Sequence, residues 1–242
     1  MELPKNIYDL AQTYFGHHGC WHFLRTIDDD LGGQHVRDRC FPPGDLWPKG
    51  LRAQGEPGSG EDFLKFHRMM IRNFKWIVMT AAPPKYFYVP WADFPDWLSS
   101  ILDAMDPFYR QRLSCAVDRT ILSASLDELG RFIEGSPRRS TFPDIHSKVH
   151  VLVSNYERVF FGTQPDSDMG DPRVSAYNEH FWMFHGWIDE IYARWQTAHG
   201  EAVDQSPLKP MEPMEMCADC HQPFLSINPW LEQWQAYLQS RS

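Results

Sequence analysis

Two pairs of histidines stand four residues apart: His18 with His22, and His146 with His150. On a helix, residues at that spacing share a face, with Cβ atoms about 5–6 Å apart, so two imidazoles can reach one metal ion. Each pair is followed by a lone histidine in an apolar run. His67 lies in Phe63-Leu-Lys-Phe-His-Arg-Met-Met, and His185 in Phe181-Trp-Met-Phe-His-Gly-Trp-Ile-Asp. A histidine buried there without a partner costs free energy, which favours a ligand over ordinary core. Two trios of neutral imidazoles, His18/His22/His67 and His146/His150/His185, suit copper, with zinc and iron behind it. The chain contains no Glu-x-x-His pair for a carboxylate-bridged di-iron bundle and no His-Glu-x-x-His zinc protease motif.

The elements that must position these rings read as helices. Apolar groups from Ile7 to Leu24 recur near helical spacing and predict a helix over 7–26. Gly16 and Gly19 weaken it, or mark a close backbone approach. Turn signals fill 28–60 and predict a long irregular excursion. A second helix begins at Glu61-Asp62 and is stopped by Pro83-Pro84. Helices over 91–105 and 107–134 follow, then a shorter one from Pro143 that carries His146 and His150. The stretch 178–196 is a strongly aromatic helix centred on His185. Residues 200–228 are irregular and rich in Pro and Met, and 230–238 form a last short helix. The expected fold is all-α, a helical bundle with a dinuclear centre between four histidine-bearing helices. Residues 1–199 form the domain, and 200–242 an extension packed on it.

Composition narrows the function classes. A chain of 242 residues can bury a sizeable core without staples. The formal net charge of −9 argues against a nucleic-acid backbone as partner. No apolar run has the length of a membrane span and no signal-peptide pattern is present, so a cytoplasmic location is expected. Five cysteines without framework spacing argue against a secreted disulfide scaffold.

With these residues in view, the sequence resembles the type 3 copper superfamily of tyrosinases, catechol oxidases, haemocyanins and arthropod phenoloxidases. His146-x-x-x-His150, Asp168-Met169-Gly170-Asp171 and Phe181-Trp-Met-Phe-His185-x-x-Ile188-Asp189 follow the order of its second copper motif. The resemblance places His185 on the third ligand and Asp189 on the acidic residue that follows it. His17-His18-Gly-Cys-Trp-His22 resembles the first motif of arthropod haemocyanin, and His67-Arg68 its third-ligand helix. It implies two copper ions. Arg68, Asp189 and Ser147 are candidate supporting residues, and an Arg68–Asp189 ion pair would link two ligand helices. Ser147 stands where tyrosinases commonly carry an Asn that helps handle the phenol proton. That departure leans toward an oxidase or oxygen carrier over a hydroxylase. A second departure is Asn178-Glu179 in place of the usual Asp-Pro. Cys20 two residues before His22 resembles a cysteine–histidine thioether pair of some members, and in that reading His17 or His35 completes the first trio.

Near the end, Met214, Met216, Cys217, Cys220 and His221 concentrate soft ligands. Cys-x-x-Cys-His is also the haem c attachment pattern, and structural zinc or an ordinary tail are further readings. Thiolates and thioethers select Cu(I), and the resemblance to a Cys-x-x-Cys of some fungal tyrosinases implies copper loading. The expected function is a copper oxidase or monooxygenase that binds dioxygen and oxidises, or o-hydroxylates, a small phenol, catechol or o-aminophenol. The alternative is a haemocyanin-like protein that binds oxygen or copper without turnover. Expected partners are dioxygen, the aromatic substrate, and a copper chaperone or biosynthetic partner protein.

Overall fold

Helix Ser59–Ala81, α4 in chain order, is the axis on which the site is built. Its buried face includes Phe63, Phe66, His67, Met70, Phe74 and Ile77, at helical spacing. The computed structural model describes residues 2–27, 33–41, 50–105, 114, 117–118, 123–135 and 145–210. The other named helices are α1 Lys5–Phe15, α2 His18–Leu24, α3 Gly33–Cys40, α5 Asp96–Met105, α6 Leu126–Glu134, α7 Ile145–Phe161 and α8 Glu179–Ala198. A 3-10 turn, Ser175–Tyr177, precedes α8. No strand occurs among the described residues, where the only backbone bridge joins Glu2 to Asn178. The fold is all-α. None of its described helices is long and apolar enough to cross a membrane.

Several boundaries differ from the sequence reading. The helix expected over 7–26 is two helices, with the break at Gly16-His17. The excursion over 28–60 contains α3, whose sequence Gly-Gln-His-Val-Arg-Asp-Arg-Cys shows no apolar stripe because an arginine is what it buries. Arg37 donates to the carbonyls of Leu24, Ile27 and Leu51 at 3.3, 2.9 and 3.0 Å, tying this segment to α2. The expected helix over 107–134 is interrupted before α6, where Ser125 is an extended N-cap forming a reciprocal capping box with Glu128. The helix expected from residue 91 begins at Asp96. The segment before it straps α8: Tyr88 donates to the Trp182 carbonyl at 3.0 Å, and the Trp91 N–H to that of Met183 at 3.0 Å. The expected short helix carrying His146 and His150 runs to Phe161. The helix expected over 230–238 lies outside the described residues.

Packing between these helices depends on flat aromatic contacts and one tight crossing. Trp21 stacks on Phe66 at 4.1 Å and Phe74 on Trp182 at 4.0 Å, joining α2 and α8 to α4. Each such pair contributes about 0.5–1.5 kcal/mol beyond area burial. At the start of α4, Gly60 meets Gly130 of α6 backbone to backbone. A Cβ on Gly130 would collide with the Gly60 carbonyl, and Asp127 Oδ1 accepts the Gly60 N–H at 2.9 Å. Backbone cannot yield as a flexible side chain does. Gly130→Ala is therefore expected to lower stability by about 3 kcal/mol or more, read from the urea midpoint. A midpoint within experimental error of wild type would show that the two helices can separate without cost.

Candidate metal centre

Four helices carry six imidazoles to one buried region: α2 gives His18 and His22, α4 His67, α7 His146 and His150, and α8 His185. The ring centroids of His18 and His22 are 4.7 Å apart, and those of His146 and His150 also 4.7 Å. Three sets have ligand nitrogens within 4.8 Å of one another: His18/His67/His185, His22/His67/His146 and His146/His150/His185. The third is the second trio expected from sequence. His67 lies 5.8 and 5.4 Å from His18 and His22 by ring centroid, but also 4.8 Å from His185, so the two expected trios abut as one continuous cluster.

The orientation of each ring is set by its far nitrogen. Nδ1–H of His67 donates to the Phe63 carbonyl at 2.8 Å and that of His185 to Phe181 at 2.7 Å, each one turn back on its own helix. For His18 and His150 the acceptors come from the loop before α8: Pro172 at 3.1 Å and Met169 at 2.7 Å. Gly19 permits the first of these, since a Cβ there would sit 2.8 Å from the Pro172 oxygen. A neutral imidazole with Nδ1 protonated carries its lone pair on Nε2. The Nε2 atoms of His18, His22, His67 and His150 are buried without a protein partner. The Nε2 atoms of His146 and His185 face each other at 3.0 Å, a contact that a proton on His146 or a shared cation would reconcile. Unpartnered lone pairs converging in an apolar shell fit a set of metal ligands.

Electrostatics hold the rings neutral. Burial pushes His67 down to about 3 and His150 to about 4. Burial first, then neighbouring imidazoles, take His18, His22, His146 and His185 well below the ordinary range. The shell is aromatic: Phe181 stacks on His185 at 3.9 Å, Phe63 lies 5.1 Å from His146, and Phe184 lies 5.9 Å from His150.

The remaining candidates divide clearly. His17, on the α1–α2 turn, packs against Phe66 and Phe41 and belongs to none of the three nitrogen sets; His35 is exposed on α3. Neither joins the cluster, in contrast to the alternative reading of the first trio. Cys20 is a buried free cysteine on α2. Residues two apart on a helix do not face one another, so this helix does not favour a Cys20–His22 link. Ser147 is half-buried on α7 beside His146. Met214, Met216, Cys217, Cys220 and His221 lie outside the described residues. Arg68 and Asp189 form the expected buried ion pair between α4 and α8. Arg68 also donates to the Asp189 carbonyl at 3.0 Å and to Gln196 Oε1 at 3.1 Å, and lies 4.4 Å over the Tyr192 ring. Gln205, in the segment after α8, donates to Asp189 Oδ2 at 2.8 Å.

Sequence reasoning missed the carbonyl acceptors. One of them, Met169, lies within Asp168-Met169-Gly170-Asp171, a segment that the resemblance marks without giving it a role.

Residues 109–198 match the family model of the common central domain of tyrosinase. That match supports membership of the type 3 copper superfamily for this segment. The matched segment contains α6, α7 and α8, and so His146, His150 and His185, while His18, His22 and His67 precede it. No curated protein matches the chain. The matched domain implies copper as the metal and suggests a copper oxidoreductase family. Six imidazoles with free Nε2 lone pairs or mutual contacts are a donor set that suits it.

Two expectations follow from this buried arrangement. In the unfolded chain these histidines protonate near the ordinary value of 6.5, and in the folded chain only far below it. The unfolded state therefore binds more protons across that interval. Stability of metal-free protein should be full above about pH 6.5 and fall continuously toward about pH 4, seen as a dropping urea midpoint. A midpoint constant over that range would show solvated rings. Asp189→Ala strands a buried guanidinium and should cost about 3–5 kcal/mol; a loss below about 1 kcal/mol would mark the pair as solvent-screened.

Proposed function

We propose that this protein is an oxidoreductase with a dinuclear copper centre that binds dioxygen and oxidises a small phenol, catechol or o-aminophenol. His18, His22 and His67 would hold one copper, and His146, His150 and His185 the other. The single observation behind this reading is the convergence of buried Nε2 atoms, four of them on rings pre-oriented through Nδ1. Copper bound there would supply one-electron chemistry toward dioxygen and a phenolic ring.

The contribution of the chain itself is orientation and exclusion. Backbone carbonyls of Phe63, Phe181, Pro172 and Met169 fix the ring planes of His67, His185, His18 and His150. Pre-oriented rings lose little freedom when they ligate, and the carbonyl acceptor raises the basicity of the far nitrogen. Phe63, Phe66, Phe181 and Phe184 are fully buried around them and keep bulk water from the nitrogens. A dry site sharpens every charge interaction in it. Ser147 offers a hydroxyl where an amide would otherwise stand, which favours the oxidation of catechols over the hydroxylation of phenols.

Metal analysis after copper loading should find two ions per chain, and His185→Ala about one. Retention of both in that variant would show that His185 is not a ligand. Loaded wild-type protein should turn over catechols faster than monophenols. Two coppers with no turnover of either class would favour the carrier over the enzyme.

A further inference from the structure

A second buried polar cluster lies on the seam between α7 and α8, away from the copper ligands. Asn178, the N-cap of α8, is fully buried. Its Oδ1 accepts the His180 N–H at 2.9 Å, and its Nδ2 donates to Glu157 Oε2 at 2.7 Å and to the Ser167 carbonyl at 2.8 Å. The other oxygen of Glu157 accepts from His180 Nδ1 at 2.8 Å. Glu157 is 3 % exposed and His180 6 %, with the His180 ring flanked by Trp91 and Trp97.

The placement is what gives this cluster a consequence. Glu157 follows His150 by seven residues on α7, and Asn178 precedes His185 by seven. Seven residues are close to two helical turns, about 10 Å along the axis. Each group therefore shares a helix face with the ligand it precedes or follows, and the link joins both helices at one level of the seam.

We propose that Asn178, Glu157 and His180 are positioning residues that set the register of α7 against α8, and so the geometry of the His146/His150/His185 site. The inference rests on the copper reading above. It also accounts for the amide at position 178, where the superfamily usually carries an aspartate. With Glu157 opposite, a carboxylate at position 178 would face a second one at hydrogen-bond distance, and one of the two would have to take up a proton. An amide instead donates to Glu157 while its oxygen caps the helix. Losing such orienting contacts typically weakens metal affinity by about 10-fold to 100-fold.

The test is copper stoichiometry and affinity, by chelator competition, in wild type, Asn178→Asp and the double variant Asn178→Asp/Glu157→Gln, with helicity followed by circular dichroism. In the double variant the amide introduced at position 157 can donate to the carboxylate introduced at position 178. Wild type should bind two ions, Asn178→Asp should keep one tightly and hold the other about 10-fold to 100-fold more weakly, and the double variant should regain most of that loss. Wild type binding fewer than two ions would overturn the copper assignment itself. With wild type at two, unchanged affinity in Asn178→Asp, equal loss from both sites, or no recovery in the double variant would each overturn the positioning role. If Asn178→Asp does not fold, the double variant decides: folded protein with both ions supports the cluster, and unfolded protein rejects it.

Discussion

An imidazole taken out of water must either find partners for both nitrogens or stay neutral with one lone pair unmet, and this fold does the second repeatedly in one place. The Nε2 atoms of His18, His22, His67 and His150 have no protein partner, although polar atoms at such depth are normally satisfied. The chain accepts that cost because the surrounding structure over-determines each ring. For four of the six histidines a backbone carbonyl takes the Nδ1 proton, and the aromatic shell leaves the rings little room to turn. Local instability at the centre is thus offset by packing around it, as in many sites built to meet a ligand.

The offsetting structure is a set of buried links, each joining elements that carry ligands. Arg68 with Asp189 connects α4 to α8. Arg25, three residues past His22, pairs with Glu134 of α6 and donates to the Ser59 carbonyl at 2.7 Å, which holds α2 against the start of α4. Glu157 with Asn178 and His180 connects α7 to α8. Buried ionic contacts are poor sources of net stability, because desolvation consumes most of the attraction. Their geometry is specific, however, and specificity of register is what a multi-helix ligand set requires.

Much of this was legible in the sequence, and the reasons are physical. A four-residue repeat of histidines survives as a shared helix face, so both pairs were visible without knowing any helix end. The Arg68–Asp189 link was visible because each residue adjoins or lies one turn from a ligand. By contrast, α3 buries Arg37, and a charged residue in the core breaks the apolar period on which helix recognition depends. The break before α6 follows from a capping box that competes with apolar periodicity. The choice of His18 over His17 could not be made from spacing alone. In the structure His18, and not His17, belongs to a set of converging nitrogens, on a helix held to α4 by Trp21 stacking on Phe66.

The loop between α7 and α8 gathers two of the carbonyls that orient rings, Met169 for His150 and Pro172 for His18. Those rings belong to different helices and, in the proposed assignment, to different ions. The loop is braced by its own short contacts, among them Gly170 N–H to Asp168 and Arg173 to Asp171. Opening this one segment would free a ring on each side of the centre at once. In the proposed dinuclear assignment, loss of one ion would then be coupled to loss of the other through this segment. Bracing of this segment would then bear on how long both ions stay bound.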